Sequence, residues 1–291
     1  MKLAIASGKG GTGKTTIATN LAVTLAKHGY DITLCDTDVE APNGHLFLEP
    51  EFDQQKAVDL LIPEVNESLC TLCGRCSEIC EFNAIMVLGE SVMVFPELCH
   101  ACGGCTQVCP ENAIHEIRHR TGTVSFGTAK NLSFVQGELA IGEAKAPPVI
   151  KEVKREIHSK IVIIDAPPGT SCPVVEATQD ADFVLLVTEP TPFGYNDLVM
   201  ATEMVEKLER PFGVLVNRAD SGDSHVIEYC NMKRIPILMQ IPEKRAIAEA
   251  YSAGRLLVEA CPEYEKQFLT LFTDIQDHLK IESPHERTGH H

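Results

Sequence analysis

Gly8-Lys9-Gly10-Gly11-Thr12-Gly13-Lys14-Thr15-Thr16 follows an apolar run, Leu3-Ala4-Ile5-Ala6, and leads into a helical pattern from Ile17 to Lys27. Glycine, four residues, glycine, lysine, then a hydroxyl residue is the phosphate-loop template, set between a strand and a helix as it must be to work. Glycines at this spacing let consecutive backbone N–H groups turn inward, at a helix N-terminus whose dipole favours negative charge. Gly8, Gly10, Gly11, Thr12, Gly13 and Thr16 would form the cradle, Lys14 would reach the β- and γ-phosphates, and Thr15 would hold Mg²⁺. A nucleotide site is the reading.

Further strands extend outward from this loop. Ile32-Thr33-Leu34-Cys35 runs into Asp36-Thr37-Asp38-Val39-Glu40-Ala41-Pro42-Asn43, and Ile161-Val162-Ile163-Ile164 ends at Asp165-Ala166-Pro167-Pro168-Gly169-Thr170. Acids at the C-terminal ends of parallel strands stand on the edge where α/β sheets bind ligands. Phe183 to Val187 and Phe212 to Val216 are continuous apolar runs, as strands covered on both faces require, and Ile235 to Ile241 is the last strand expected. Helices are expected at Val149–Ile157, Tyr195–Leu208, Lys244–Ala253 and Glu263–Lys280, and a strand pair at Val124–Phe126 and Leu132–Val135. The sum is an α/β fold: a doubly wound, mostly parallel sheet of about seven or eight strands.

A different composition interrupts this pattern after the second strand. Cys70-x₂-Cys73-x₂-Cys76-x₃-Cys80 is followed by Cys99-x₂-Cys102-x₂-Cys105-x₃-Cys109-Pro110. Both runs have the bacterial ferredoxin spacing, in which the fourth cysteine ligates the other cluster. Cys80-Glu81-Phe82-Asn83-Ala84-Ile85 repeats as Cys109-Pro110-Glu111-Asn112-Ala113-Ile114, so two related cages are expected. Cys70, Cys73, Cys76 and Cys109 would hold one [4Fe–4S] cluster, and Cys80, Cys99, Cys102 and Cys105 the other. Zinc bound to paired Cys-x₂-Cys motifs is the rival chemistry. The chain thus divides into a nucleotide-binding part over residues 1–63, an inserted two-cluster module over 64–120, a second nucleotide-binding part over 121–284, and a tag-like tail over 285–291.

Composition narrows the function. A net charge of −16 without a basic patch argues against nucleic acid as a partner. No apolar run reaches the length of a membrane span, and the chain enters a strand where a signal peptide would stand. Phe268, Leu271, Phe272, Ile275 and Leu279 make one apolar face of the last helix, but its other face is not basic, so packing on the core is expected over membrane binding. The twelve cysteines then read as metal ligands in a cytoplasmic protein, not as a disulfide framework. Cys35, Cys230 and Cys261 fall in apolar patterns and need only be small and buried.

With Lys9 directly after the first glycine of the loop, the chain resembles the MinD/ParA/Mrp/nitrogenase-iron-protein class of P-loop ATPases, specifically those with an inserted ferredoxin domain. The resemblance implies Mg²⁺-dependent ATP hydrolysis in a homodimer that sandwiches ATP, with Lys9 completing the partner's site. It also implies that Asp38 activates the attacking water, that Asp38 and Asp165 serve the Mg²⁺ site, and that Asn43 and the Gly169 N–H lie near the γ-phosphate. Asn217-Arg218 and Pro242-Glu243 would border the base, Asn217 reading the adenine edge. Cys172 stands where the nitrogenase iron protein carries a ligand of its bridging cluster; with no second cysteine evident beside it, a thiol touching the nucleotide-sensing loop is the alternative. Three functions follow: an ATPase coupled to electron transfer with a redox partner, a carrier that hands iron–sulfur clusters to an acceptor protein, or a positioning ATPase.

Overall fold

The computed structural model describes residues 1–155, 157 and 159–282, so the tail read over 285–291 lies outside the described residues. The strands are β1 (Lys2–Ser7), β2 (Ile32–Asp36), β3 (Glu51–Val65), β4 (Ile85–Leu88), β5 (Ser91–Val94), β6 (Ile114–Ala129), β7 (Leu132–Leu139), β8 (Ile161–Pro168), β9 (Phe183–Thr188), β10 (Phe212–Asn217) and β11 (Ile237–Ile241). The α-helices are α1 (Lys14–Lys27), α2 (His45–Leu48), α3 (Arg75–Ile79), α4 (Gly104–Val108), α5 (Ala146–Arg155), α6 (Cys172–Thr178), α7 (Pro192–Lys207), α8 (His225–Lys233), α9 (Arg245–Ser252), α10 (Leu257–Ala260) and α11 (Glu263–Glu282).

Alternation along β1 explains the layering. Leu3 and Ile5 point to one face of the sheet, where α1, α10 and α11 bury Leu21, Leu25, Phe268 and Phe272 against them. Ala4 and Ala6 point to the other face, which Val149 and Val153 of α5, Leu198 of α7 and Val226 of α8 cover. Both faces are dry, so strands that read as unbroken apolar runs fit here and nowhere else. The sheet order is β11-β10-β9-β1-β8-β2-β7-β6-β3; the first seven of these run parallel, and β6 and β3 close the edge antiparallel. Phe268, Leu271, Phe272 and Ile275 are buried, so the last helix packs on the core as its apolar stripe requires.

Two expectations need correction. Among the described residues the sheet has nine strands, and the cysteine segment leaves it after the third strand, not the second. The unforeseen strand is β3, whose pairing with β6 runs from Glu51 opposite Thr128 to Val65 opposite Ile114. Residues 63/64 and 120/121 therefore fall inside paired strands instead of linkers. At the far end of this ribbon sit α3, α4 and the β4–β5 hairpin. The internal repeat is visible in the backbone there. Leu72, Gly74 and Asn83 have φ of 58°, 81° and 52°, and their counterparts Ala101, Gly103 and Asn112 have φ of 52°, 70° and 49°.

Candidate nucleotide site and cysteine cages

Gly13 caps α1 at φ 96°, and no side chain caps the helix, so its first-turn N–H groups face the loop. Gly8 is required for a different reason: a Cβ there would fall 2.2 Å from the carbonyl oxygen of Asp197 on α7. Lys14 is buried, and burial lowers its pKa against the opposing pull of Asp165, Asp38 and Asp36. An ammonium kept near three carboxylates yet short of solvent suits a polyanion that would replace water around it.

Asp165 is fully buried at the end of β8, and burial, with the neighbouring Asp36, pushes its pKa well above the usual carboxylate range. The Thr15 hydroxyl favours its charged form, but neither carboxylate oxygen has a well-formed hydrogen bond. An orphaned buried carboxylate beside a threonine hydroxyl is a donor set that fits Mg²⁺. Asp36 has another task. Its carboxylate accepts from the N–H groups of Asp38 (3.2 Å), Asn43 (3.0 Å) and Gly44 (2.8 Å), and burial raises its pKa to about 6. It fixes the loop that carries Asp38, which is half-buried with its pKa raised by burial and lowered by Lys14. The Asn43 side-chain oxygen is buried without a partner.

A cavity of about 480 Å³ collects Gly11, Gly13, Lys14, Thr15, Thr16, Asn43, Asn217, Arg218, Pro242 and Glu243, the size range of small-molecule sites. Several side chains expected there are already engaged. The Asn217 Nδ2 donates to the Thr12 carbonyl at 2.9 Å, and its Oδ1 accepts from the Arg218 N–H at 3.0 Å. The Gly169 N–H donates to the Ser7 carbonyl at 3.0 Å, which ties the post-Asp165 loop to β1. The Glu243 N–H donates to Asp220 at 2.6 Å. Lys9 lies 3.7 Å from Glu189 of its own chain, and Arg218 pairs with the same buried carboxylate at 2.8 Å. Glu189 ties Lys9 to Arg218 and no motif flags it, because its partners come from two distant loops.

The cysteines gather as their spacing requires. Cys70, Cys73, Cys76 and Cys109 line one cavity, and Cys80, Cys99, Cys102 and Cys105 line another. Backbone N–H groups of Ala84, Ala101 and Ala113 donate to the sulfurs of Cys80, Cys99 and Cys109 at 3.2, 3.4 and 3.3 Å. Burial pushes the Cys76 and Cys105 thiols up. Among the described residues no group of three or more His, Cys, Asp or Glu is arranged to hold a single metal ion. Four thiols lining each cavity are the donor set that a [4Fe–4S] cluster takes. Cys172 is exposed at the start of α6 and lines neither cavity; Cys35, Cys230 and Cys261 are buried.

A mostly parallel α/β sheet with a glycine loop between β1 and α1, and a buried acid beside the loop threonine, defines a P-loop nucleotide-binding protein. The chain belongs to the CobQ/CobB/MinD/ParA nucleotide binding domain family, whose pattern matches residues 3–258. It is 34% identical over 224 residues to an uncharacterized protein of Methanocaldococcus jannaschii, a match covering 75% of this chain and 78% of that one. An iron–sulfur cluster carrier protein of Pyrococcus furiosus is 26% identical over 220 residues, 72% of this chain and 59% of the carrier. Among solved structures, the septum site-determining protein MinD with Mg-ADP from Pyrococcus horikoshii OT3 shares the fold at a TM-score of 0.60, with 20% identity over 98% of this chain and 99% of that one. Among the described residues no helix is long and apolar enough to cross a membrane.

Proposed function

We propose that this protein is a Mg²⁺-dependent ATPase whose inserted segment, residues 64–120, holds two [4Fe–4S] clusters and couples nucleotide turnover to electron transfer with a protein partner. The observation that carries the proposal is the sorting of eight cysteines into two four-thiol cavities in a chain that also carries a phosphate loop. Lys14 would neutralise charge growing on the β- and γ-phosphates, Thr15 and Asp165 would hold the Mg²⁺, and Asp38 would orient the attacking water. Clusters held by the two cysteine sets would supply one-electron chemistry. Two chains close face to face over ATP, and Lys9 leaves Glu189 to reach the partner's nucleotide.

A second reading has its own support: relatives named as iron–sulfur cluster carriers favour a protein that hands clusters to an acceptor. One set of measurements separates the two. Anaerobically purified protein should contain about eight irons per chain, and dithionite-reduced protein should show cluster EPR signals that change with Mg-ATP. Zinc in place of iron overturns both readings. Iron-replete protein that reduces no acceptor, and whose ATPase rate ignores cluster oxidation state, overturns electron transfer. ATP-stimulated handover of ⁵⁵Fe to an apo-acceptor establishes the carrier.

A further inference from the structure

Two cages built from one repeated sequence should behave alike unless something outside the repeat touches one of them. Lys145 does. It stands on the nucleotide-binding half, directly before α5, and its Nζ donates to the carbonyl oxygens of Pro96 and Cys99 at 2.5 and 2.9 Å. Cys99 is the first ligand position of the second cage. The counterparts of Pro96 and Cys99 in the first half of the repeat are Glu67 and Cys70, and among the described residues no side chain donates to their carbonyls.

Lys145 is itself fixed from behind. Glu143 accepts from the N–H groups of Ala144 and Lys145 at 3.0 and 3.1 Å, and pairs with His119 of β6 at 3.0 Å. At the other end of α5, Lys154 donates to the carbonyls of Glu176 and Ala177 at the end of α6, the helix that follows the Asp165 loop. α5 and the residue directly before it therefore tie the end of α6 with one lysine and the second cage with another. Other charges near the cages do not reproduce this. Glu111 borders the first cavity and Glu116 the second, and Arg75 at the first is exposed, where solvent screens it.

Resting on the two-cluster reading, we propose that Lys145 is a positioning residue for the second cage alone: it fixes the Cys99 backbone and holds a positive charge that favours the reduced state of the cluster bound there. An added electron makes a cluster more negative, so a half-buried ammonium at hydrogen-bonding distance from the ligand's backbone stabilises the reduced form and raises its potential.

The test is a potentiometric EPR titration of the anaerobic full-length protein, with dithionite supplying one electron to each cluster. Cys73→Ser and Cys102→Ser assign the two signals, since each perturbs one cage. Lys145→Gln is expected to move the second-cage midpoint to more negative potential and leave the first where it was, and Lys145→Arg is expected to restore it. Equal shifts in both signals, or none in either, overturn the inference. Iron analysis of the same samples keeps the two ideas apart. Iron far below two clusters per chain in the unaltered protein defeats the two-cluster reading and this inference with it, whereas full iron with unmoved potentials defeats the inference alone.

Discussion

The nucleotide-binding half and the cysteine module hold together by different means. Around β1, Leu3, Ile5, Ile163 and Leu185 are completely buried in a continuous core shared with α1 and α11. In the module the buried clusters are small, and each includes one of the cysteines: Cys76 with Ile85 and Ile114, and Cys99 with Ile62 and Ala84. Leu69, Ile79, Phe82, Leu88, Met93 and Leu98 remain exposed. A large core is its own support, whereas a small module needs bound metal to fold. On the two-cluster reading, the contrast predicts a half that tolerates loss of its ligand and one that does not.

The sharpest way to break that contrast is at the phosphate loop. Lys14→Gln should cut ATP hydrolysis by roughly 10²-fold or more while iron content and the module's spectra stay unchanged; loss of iron in this variant would show the halves to be one folding unit. Next in size, Cys76→Ala should remove about four irons per chain and open the module to protease, with ATP binding retained. Failure of ATP binding there would undo the comparison from the other side.

A smaller effect follows from the buried acids. A folded-state carboxylate pKa raised above its unfolded value means that the folded protein binds the proton more tightly. That contribution is fully present below about pH 4 and, for Asp36, fades as pH rises through about 6. Asp165 shifts in the same direction. Asp165→Asn should therefore raise the melting temperature of the nucleotide-free protein at pH 7, read by thermal unfolding, while abolishing Mg²⁺-dependent hydrolysis. The smallest effect concerns Glu189. Glu189→Gln should release Lys9 and tighten ATP-dependent dimerisation by no more than about fivefold, because Lys9 is partly exposed and its pair with Glu189 is 3.7 Å long. Sedimentation with and without ATP reads the change, and weaker association in the variant would show that Glu189 supports the dimer instead of restraining it.

What the chain discloses before folding depends on how local each requirement is. The loop at Gly8–Thr16 is readable because left-handed backbone and phosphate approach need glycines at fixed positions, and the cysteine cages because four ligands must come from a short stretch. Strand β3 escaped because Glu51 to Ala57 are mostly exposed and follow no alternation; its strand character comes from pairing with β6. Lys145 and Glu189 were silent for a related reason. Each is an ordinary charged residue until the chain brings up Cys99, or Lys9 and Arg218, from far away. The Gly169 and Asn217 amide groups, expected to face the nucleotide, have backbone partners of their own in the fold.

The ribbon of β3 and β6 sets the mechanics of whatever the module does. Two loops would have let it drift like a buoy on slack line. A cross-linked pair of strands is a boom: it holds the cysteine cavities at a near-constant reach from the sheet and permits movement mainly where its register slips, between Phe52 and Gln54 and between Val58 and Asp59. On the proposed two-cluster reading, any client must therefore come to the tip.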